Sequence, residues 1–400
     1  MNILHVIRDL YAATGGPVTA VLGMAAAQTA MGHFVSVVAT DHALETIPLL
    51  DGVEITSFPC TFSPWNFSLP LGRALPKLVG ACDIVHIHMI WEYPTYAAAR
   101  ICTKLKKPYI LRPCGMLDRW SLSQSAWKKG AYLRLLGIPL IRNAAALHFT
   151  THAELANSLY LHDQEQCFVV PIGLPPNVFV APQDIQAFRC RFPELKDKRI
   201  VLFLGRLDYK KQPNVVLDAF KYICGIDERL ALVLAGPSEP AYLNDLRQLV
   251  KTLGLESRVI FTGLLQGEVV REALFAAEIF VLPSLQENFG IAVAEAMAAG
   301  CPVVVSEQVN LASEIRDNEA GIVCKSDAVS TAGALEILIR DDGLRAIMAK
   351  NGRSLVADKF MWQVVSADLM NVYHDILSST RTSRAWGKKG SSSCRREFAS

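Results

Sequence analysis

Leu282-Pro283-Ser284-Leu285-Gln286-Glu287-Asn288-Phe289-Gly290-Ile291-Ala292-Val293-Ala294-Glu295-Ala296-Met297-Ala298-Ala299-Gly300 is the stretch on which the fold turns. A short apolar run ends at Pro283, a polar loop carries Glu287, and an alanine-rich run closes on Gly300. The order reads as strand, loop, helix, with the helix predicted to start near Phe289-Gly290 and to stop at the glycine. A helix that starts directly behind a strand presents unpaired amides, here those of residues 289–291. Its dipole favours an anion in front of them.

Working outward, the same rhythm fills the chain. Strands are expected at Ile200–Leu204, Ala231–Ala235, Val259–Thr262, Ile279–Pro283, Val303–Val305 and Gly321–Val323. Before them come Ile3–Ile7, Phe34–Ala39, Ile84–His88, Tyr109–Arg112, Ala146–Phe149 and Phe168–Val170. Amphipathic segments fill the gaps, beginning with a helix over Val18–Ala30 between Gly15-Gly16-Pro17 and Gly32. Strands alternating with helices imply parallel sheets with crossover connections. The 400 residues exceed one ordinary α/β domain and suit two. The turn formers Pro171-Ile172-Gly173-Leu174-Pro175-Pro176-Asn177 mark the linker. The expected layout is therefore a first domain over 1–175, a second over 176–360, a helix over 361–378 that crosses back to the first, and a disordered basic tail over 379–400.

Composition narrows the function classes. Half of the residues (51%) are hydrophobic, enough for sizeable cores, and the net charge of +2 argues against a dedicated nucleic-acid binder. The ten cysteines are scattered singly with no C-x-x-C pair, the pattern of free thiols in a reducing compartment. Met1–Asp9 reads as a first strand rather than a secretory signal, and no apolar run is long enough to span a bilayer. A cytoplasmic protein, in solution or peripheral on the inner face of a membrane, is expected.

Glu287 and Glu295 are eight positions apart, about 12 Å along a helical rise. Such a span suits a nucleotide sugar lying across the helix start, with sugar hydroxyls at one carboxylate, ribose hydroxyls at the other, and diphosphate between. Taken singly, each is an ordinary loop or helix acid; the strand–loop–helix setting favours the ligand reading. A second segment, Arg199-Ile200-Val201-Leu202-Phe203-Leu204-Gly205-Arg206-Leu207-Asp208-Tyr209-Lys210-Lys211-Gln212-Pro213, places Arg206 and Lys211 just past a strand end. Cations there can neutralise a diphosphate, and a solvated charge run is the alternative. In a third, Asp9-Leu10-Tyr11-Ala12-Ala13-Thr14-Gly15-Gly16-Pro17, two glycines allow close backbone approach to a ligand.

These segments, in this order, resemble the retaining glycosyltransferases numbered family 4. The matching pieces are Gly15-Gly16, Gly205-Arg206-Leu207 with Lys211, Glu287 and Glu295 with seven residues between them, Val233-Leu234-Ala235-Gly236-Pro237 and Val259-Ile260-Phe261-Thr262-Gly263. The resemblance covers about residues 3–375. It implies the GT-B fold, two Rossmann-like parallel-sheet domains facing across a cleft. It implies retaining, metal-independent transfer from a nucleotide sugar, which is a substrate and not a cofactor. Arg206 and Lys211 would hold the diphosphate, Glu295 the ribose, Glu287 the donor sugar, the amides around Asn288, Phe289 and Gly290 the phosphates, with Gly15 and Gly16 on the donor from the first domain.

One departure stands out. Where many relatives carry His-Gly, this chain has Cys114-Gly115 within Leu111-Arg112-Pro113-Cys114-Gly115-Met116-Leu117. His88, at the end of Asp83-Ile84-Val85-His86-Ile87-His88, is a further candidate, with a packed histidine as its alternative. The segment Arg100–Arg142 holds ten Lys/Arg and one acid, Asp118, interleaved with Trp120, Leu122, Trp127, Tyr132 and Leu133. Such a face suits an anionic bilayer or a lipid-linked acceptor, or packs its apolar side into its own domain. The expected acceptor is a saccharide or lipid-linked saccharide of surface polysaccharide synthesis. A nucleotide-sugar epimerase and a non-enzymatic sugar-nucleotide binder are the competing readings.

Overall fold

A computed structural model describes residues 1–11, 14–41, 49–159, 166–184 and 186–381. The chain divides into two compact units, Met1–Gly173 joined by the segment that starts at Trp362, and Leu174–Met361. The first carries a seven-stranded sheet of β1 (Asn2–Val6), β2 (Phe34–Asp41), β3 (Val53–Pro59), β4 (Ile84–His88), β5 (Tyr109–Arg112), β6 (Ala146–Phe149) and β7 (Cys167–Val169). They lie in the order β3-β2-β1-β4-β5-β6-β7. The second carries β8 (Arg199–Leu204), β9 (Leu230–Ala235), β10 (Val259–Gly263), β11 (Ile279–Leu282), β12 (Val303–Ser306) and β13 (Gly321–Cys324), ordered β10-β9-β8-β11-β12-β13. All these pairings are parallel.

Strand order reverses between β1 and β4 in the first sheet and between β8 and β11 in the second. At such a switch the two connections leave in opposite directions and open a crevice past the strand carboxyl ends, where open α/β sheets bind ligands. Arg206 follows β8 and Glu287 follows β11, so the charged motifs flank the switch of their own sheet.

Each strand alternates its faces, and in the first sheet the two faces differ in kind. One carries Leu4, Val6, Val85, Ile87, Leu111 and Leu147, all within one buried apolar cluster. The other carries His5, His86, His88, Arg112 and His148, all buried as well. The C-terminal helix, Trp362–Arg381, covers that polar face through Tyr373, which is buried against His86 and Gln28. Trp362 anchors its start: a Cβ on Gly23 or Gly173 would overlap the indole, which explains the glycine at Gly173.

Three expectations need correction. β3 went unread, because its burial is partial on both faces and Glu54, Thr56 and Ser57 dilute the apolar signal of an edge strand. The first helix starts at Gly16, two residues before the expected Val18. The final helix continues to Arg381, so residues 379–381 are helical; the remainder of the expected disordered tail lies outside the described residues.

Candidate functional site

Two connections build the site in the second unit. After β8, the turn Asp208–Lys211 is closed by the Lys211 amide donating to the Asp208 carboxylate at 3.0 Å. After β11, the Leu285 amide donates to the Lys210 carbonyl at 2.8 Å, stitching the two loops together. The backbone of Glu287 is held from the other side, its amide donating to Gln308 and its carbonyl accepting from Asn310. Thus clamped, the Glu287 carboxylate meets the Lys211 ammonium in an ion pair in which each side chain is less than one fifth exposed. Arg206 stands exposed at the end of β8.

Gly236 shows how tightly these strand ends approach. A Cβ there would run into the Gly205 carbonyl, so only glycine lets β8 and β9 close on each other before Arg206.

The helix behind β11 spans Ile291–Ala299, capped by Gly290 at φ 85° and Gly300 at φ 82°. Its first intrahelical donors are the amides of Val293 and Ala294, both onto the Gly290 carbonyl. The amides of residues 290–292 therefore precede the ladder, one residue later than expected. Phe289 is buried edge-on against Phe360, with ring centroids 5.4 Å apart, so its side chain anchors the loop. Asn288 is fixed through its carbonyl, which accepts from the Asn310 side chain at 3.1 Å. Glu287 lies outside the helix, so the helical rise does not measure its separation from Glu295; the glycine turn at 290 comes between.

Burial acts on both charges expected here. It pulls the Lys211 ammonium down to about 7, with Lys210 and Arg206 adding to the effect and Asp208 opposing it. The Glu287 carboxylate against it favours the charged form. Desolvation pushes the Glu295 carboxyl up to about 7. An ammonium and a carboxyl, each withdrawn from water, are thus both poised near neutrality.

In the first unit, Gly15 (φ 76°) caps the helix that Gly16 begins, and among the described residues nothing lies within 4 Å of where a Gly15 Cβ would sit. Asp9 braces the preceding loop, accepting from Thr14 Oγ1 at 2.6 Å and from the Tyr11 amide at 3.2 Å. Cys114 adopts φ 57° with its thiol directed back at the Arg112 carbonyl, 3.5 Å away. Burial raises its pKa, so it stays a thiol. The turn after it is held by the buried Glu154, whose carboxylate takes the Gly115 amide at 2.7 Å and both the amide and hydroxyl of Thr150.

His88 is packed rather than presented, and it belongs to a chain that the sequence reading missed. Burial keeps His148 neutral, and the Val170 carbonyl can only accept, so His148 donates to it through Nε2 at 2.8 Å and accepts at Nδ1. His86 Nε2 then donates to His148 at 3.3 Å, and the Tyr373 hydroxyl donates to His86 Nδ1 at 2.6 Å. Gln28 donates to Tyr373 at 3.3 Å, His5 to Gln28 at 2.8 Å, and His88 Nε2 to His5 Nδ1 at 3.0 Å. Each step forces the next tautomer, and all four imidazoles are neutral. Burial agrees, lowering His5 to about 4, His148 to about 3, and His86 and His88 well below their usual value. The ligand atoms of His5, His86 and His88 lie within 4.8 Å of one another, close enough for a metal. Yet the chain already uses every ring nitrogen of the three except His88 Nδ1, so hydrogen bonding accounts for the cluster. The signal available beforehand was His86-x-His88, two histidines on one face of a buried strand.

Comparison with known proteins matches both units. Residues 15–173 match the Glycosyl transferase 4-like domain and residues 184–355 the Glycosyl transferases group 1 family. The chain belongs to the family-4-like glycosyltransferases. It is 30% identical over 246 residues to the D-inositol 3-phosphate glycosyltransferase of Stackebrandtia nassauensis, covering 59% of this chain and 54% of that one. The chain spans about half the length of the curated relatives it matches. Among solved structures, HepE of Anabaena, in complex with UDP and glucose, superposes with a TM-score of 0.77 at 17% identity, over 94% of this chain and 100% of that one. Sucrose-phosphate synthase of Thermosynechococcus elongatus does so with 0.77 at 22%, over 94% and 99%. At those identities the likeness shows the GT-B fold.

Proposed function

We propose that the chain transfers a sugar, with retention at the anomeric carbon and without a bound metal or other cofactor, from a nucleotide diphosphate to a saccharide or lipid-linked saccharide acceptor. The observation that carries this is the Lys211–Glu287 pair, held at a sheet's switch point beside the start of the helix that bears Glu295. In this reading the donor exchanges partners with the pair. Its diphosphate takes Lys211, with Arg206 and the amides at Gly290 as further donors, and Glu287 turns to the sugar hydroxyls. Negative charge grows on the leaving diphosphate as the glycosidic bond breaks, so the cations act most strongly in the transition state. The UDP in the HepE structure supports a uridine donor as the first to try.

A peripheral encounter with an anionic membrane belongs to the same proposal. Within the basic segment, Trp127 and Leu135 are about three quarters exposed, whereas Leu122 and Leu133 are buried and the Tyr132 hydroxyl donates to the Ile90 carbonyl. Lys129 is used internally, on the Ser121 carbonyl and over the Trp91 ring at 5.6 Å. Trp127, Lys128 and Arg134 make the outward set. Among the described residues no helix is long and apolar enough to cross a membrane.

The test is to incubate the protein with UDP-, GDP- and ADP-sugars, with and without crude acceptor lipid, and to follow nucleoside diphosphate release. Release that needs acceptor, survives EDTA and gives a product with the donor's anomeric configuration by NMR is expected. Epimerised donor without release would favour the isomerase reading, and an inverted product would remove the retaining mechanism.

A further inference from the structure

Arg112 ends β5 with 1% of its surface exposed, on the same face of the sheet as the histidine chain. Its Nε and Nη1 are sealed from solvent and have no hydrogen-bond partner, and no carboxylate forms an ion pair with it among the described residues. The Arg112 charge is felt by Glu154, favouring its ionised form, but that carboxylate is already committed by hydrogen bonds to Gly115 and Thr150. The histidines around it are neutral and cannot compensate its charge. Leaving a guanidinium buried and unpaired is among the most costly arrangements a protein can hold, and stability alone does not explain it.

A second orphan lies beside it. The histidine chain ends at His88 Nδ1, an acceptor that is likewise sealed and unpartnered. His88 and Arg112 are register partners across β4 and β5, so their side chains leave the sheet side by side. One offers donors and positive charge; the other offers a lone pair. The group that satisfies both is an anion that also carries a hydroxyl or an acidic proton.

We propose that Arg112, with His88 Nδ1, is a receptor for an anionic group borne by a sugar, a carboxylate or a phosphate. Of the three guanidinium nitrogens, only Nη2 is not among the sealed, unpartnered atoms, so the anion reaches the guanidinium from the Nη2 side. There it takes a charge-assisted pair of hydrogen bonds from the guanidinium while a neighbouring hydroxyl donates to His88. The tautomer chain fixed by the Val170 carbonyl matters here, because it keeps Nδ1 of His88 free of a proton. The assignment of this anion to the acceptor rests on the glycosyl-transfer reading; the anion site does not.

The test follows melting temperature and calorimetric affinity with glucuronate, glucose 6-phosphate and glucose, on the wild type, Arg112→Met, Arg112→Lys and Lys211→Ala. One of the two anionic sugars should stabilise the wild type and Lys211→Ala equally, and neutral glucose should not. Arg112→Met should bind that anion about 10²-fold more weakly. Without ligand it should melt roughly 2–4 °C higher, since it removes an uncompensated buried charge. Should Arg112→Met not fold, Arg112→Lys keeps the charge without the planar fork and should still lose at least about tenfold in anion affinity. Failure of both anions to bind the wild type, or equal binding by the Arg112 variants, overturns the proposal. A stabilisation lost in Lys211→Ala but kept in Arg112→Met also overturns it, placing the anion in the second unit.

Discussion

The two units share a doubly wound plan and treat their polar groups in opposite ways. In the second, the charges sit on loops beyond the strand ends, Lys211 against Glu287 with Arg206 exposed nearby. In the first, four histidines, Gln28 and Tyr373 are sealed under the C-terminal helix, and Arg112 lies unpaired among them. A loop charge paired with another loop charge can change partners when a ligand arrives. A sealed hydrogen-bond chain keeps its internal partners, and only its terminal acceptor, His88 Nδ1, is left without one. In the proposed reading the second unit carries the transfer residues, whereas the first uses a polar core to fix its C-terminal helix.

The largest effect that would break this comparison is kinetic. Lys211→Ala should lower turnover roughly 10²–10³-fold, by analogy with the loss of one electrostatic stabiliser of a leaving group, and should melt close to the wild type. Near-normal turnover would place the machinery elsewhere.

Next in size is a loss of stability in the first unit. Tyr373→Phe strands His86 Nδ1 and the Gln28 amide together, so unfolding by urea should show a loss of about 2–4 kcal/mol. The surviving folded protein should bind nucleotide as the wild type does. A neutral effect would mean that the chain is incidental to the packing of the helix.

Legibility in the sequence follows the same divide. The motifs of the second unit were readable because each is local: Arg206 and Lys211 lie five residues apart in one loop, and Glu287 and Glu295 bracket one glycine turn. Among the described residues, twelve of the thirteen strands are readable from apolar runs, and β3 is not, being a half-buried edge. Nothing local announces that Tyr373 meets His86, because they are 287 positions apart and only the return of the C-terminal helix to the first unit joins them. Nor did Arg112 look unusual, since an arginine in a sequence does not show whether it will find a carboxylate.

A smaller effect sharpens the electrostatics. Glu295 is raised to about 7 by burial, and its ionised form is the one a ribose diol needs. Donor affinity should therefore rise as pH climbs from 6 towards 7, by up to about tenfold per pH unit, and this limb should vanish in Glu295→Gln. Stability of the empty protein should run the other way. Between the unfolded value and about 7 the unfolded chain releases a proton that the folded one retains, so the wild type loses stability over that window and Glu295→Gln does not. A pH titration by calorimetry and by thermal melting checks both signs.

The smallest effect concerns the outward face of the first unit. Trp127→Ala with Lys128→Glu should release the protein from anionic liposomes, each lost cation counting for about 1 kcal/mol, and donor affinity should not move. Sedimentation with phosphatidylserine vesicles at low and high salt checks this. Wild-type protein that ignores the vesicles at low salt would make a water-soluble acceptor the better reading.

In the proposed reading the second unit holds a nucleotide sugar with Glu295 on the nucleotide and Glu287 on the sugar. Calorimetry with UDP, GDP and ADP on the wild type, Glu295→Ala and Glu287→Ala tests it most directly. One diphosphate should bind the wild type, at least about tenfold more weakly Glu295→Ala, and within about twofold of normal Glu287→Ala, whose defect should appear only in transfer. The reverse pattern would mean that the donor lies the other way round, and binding unaffected by either substitution would contradict the site altogether.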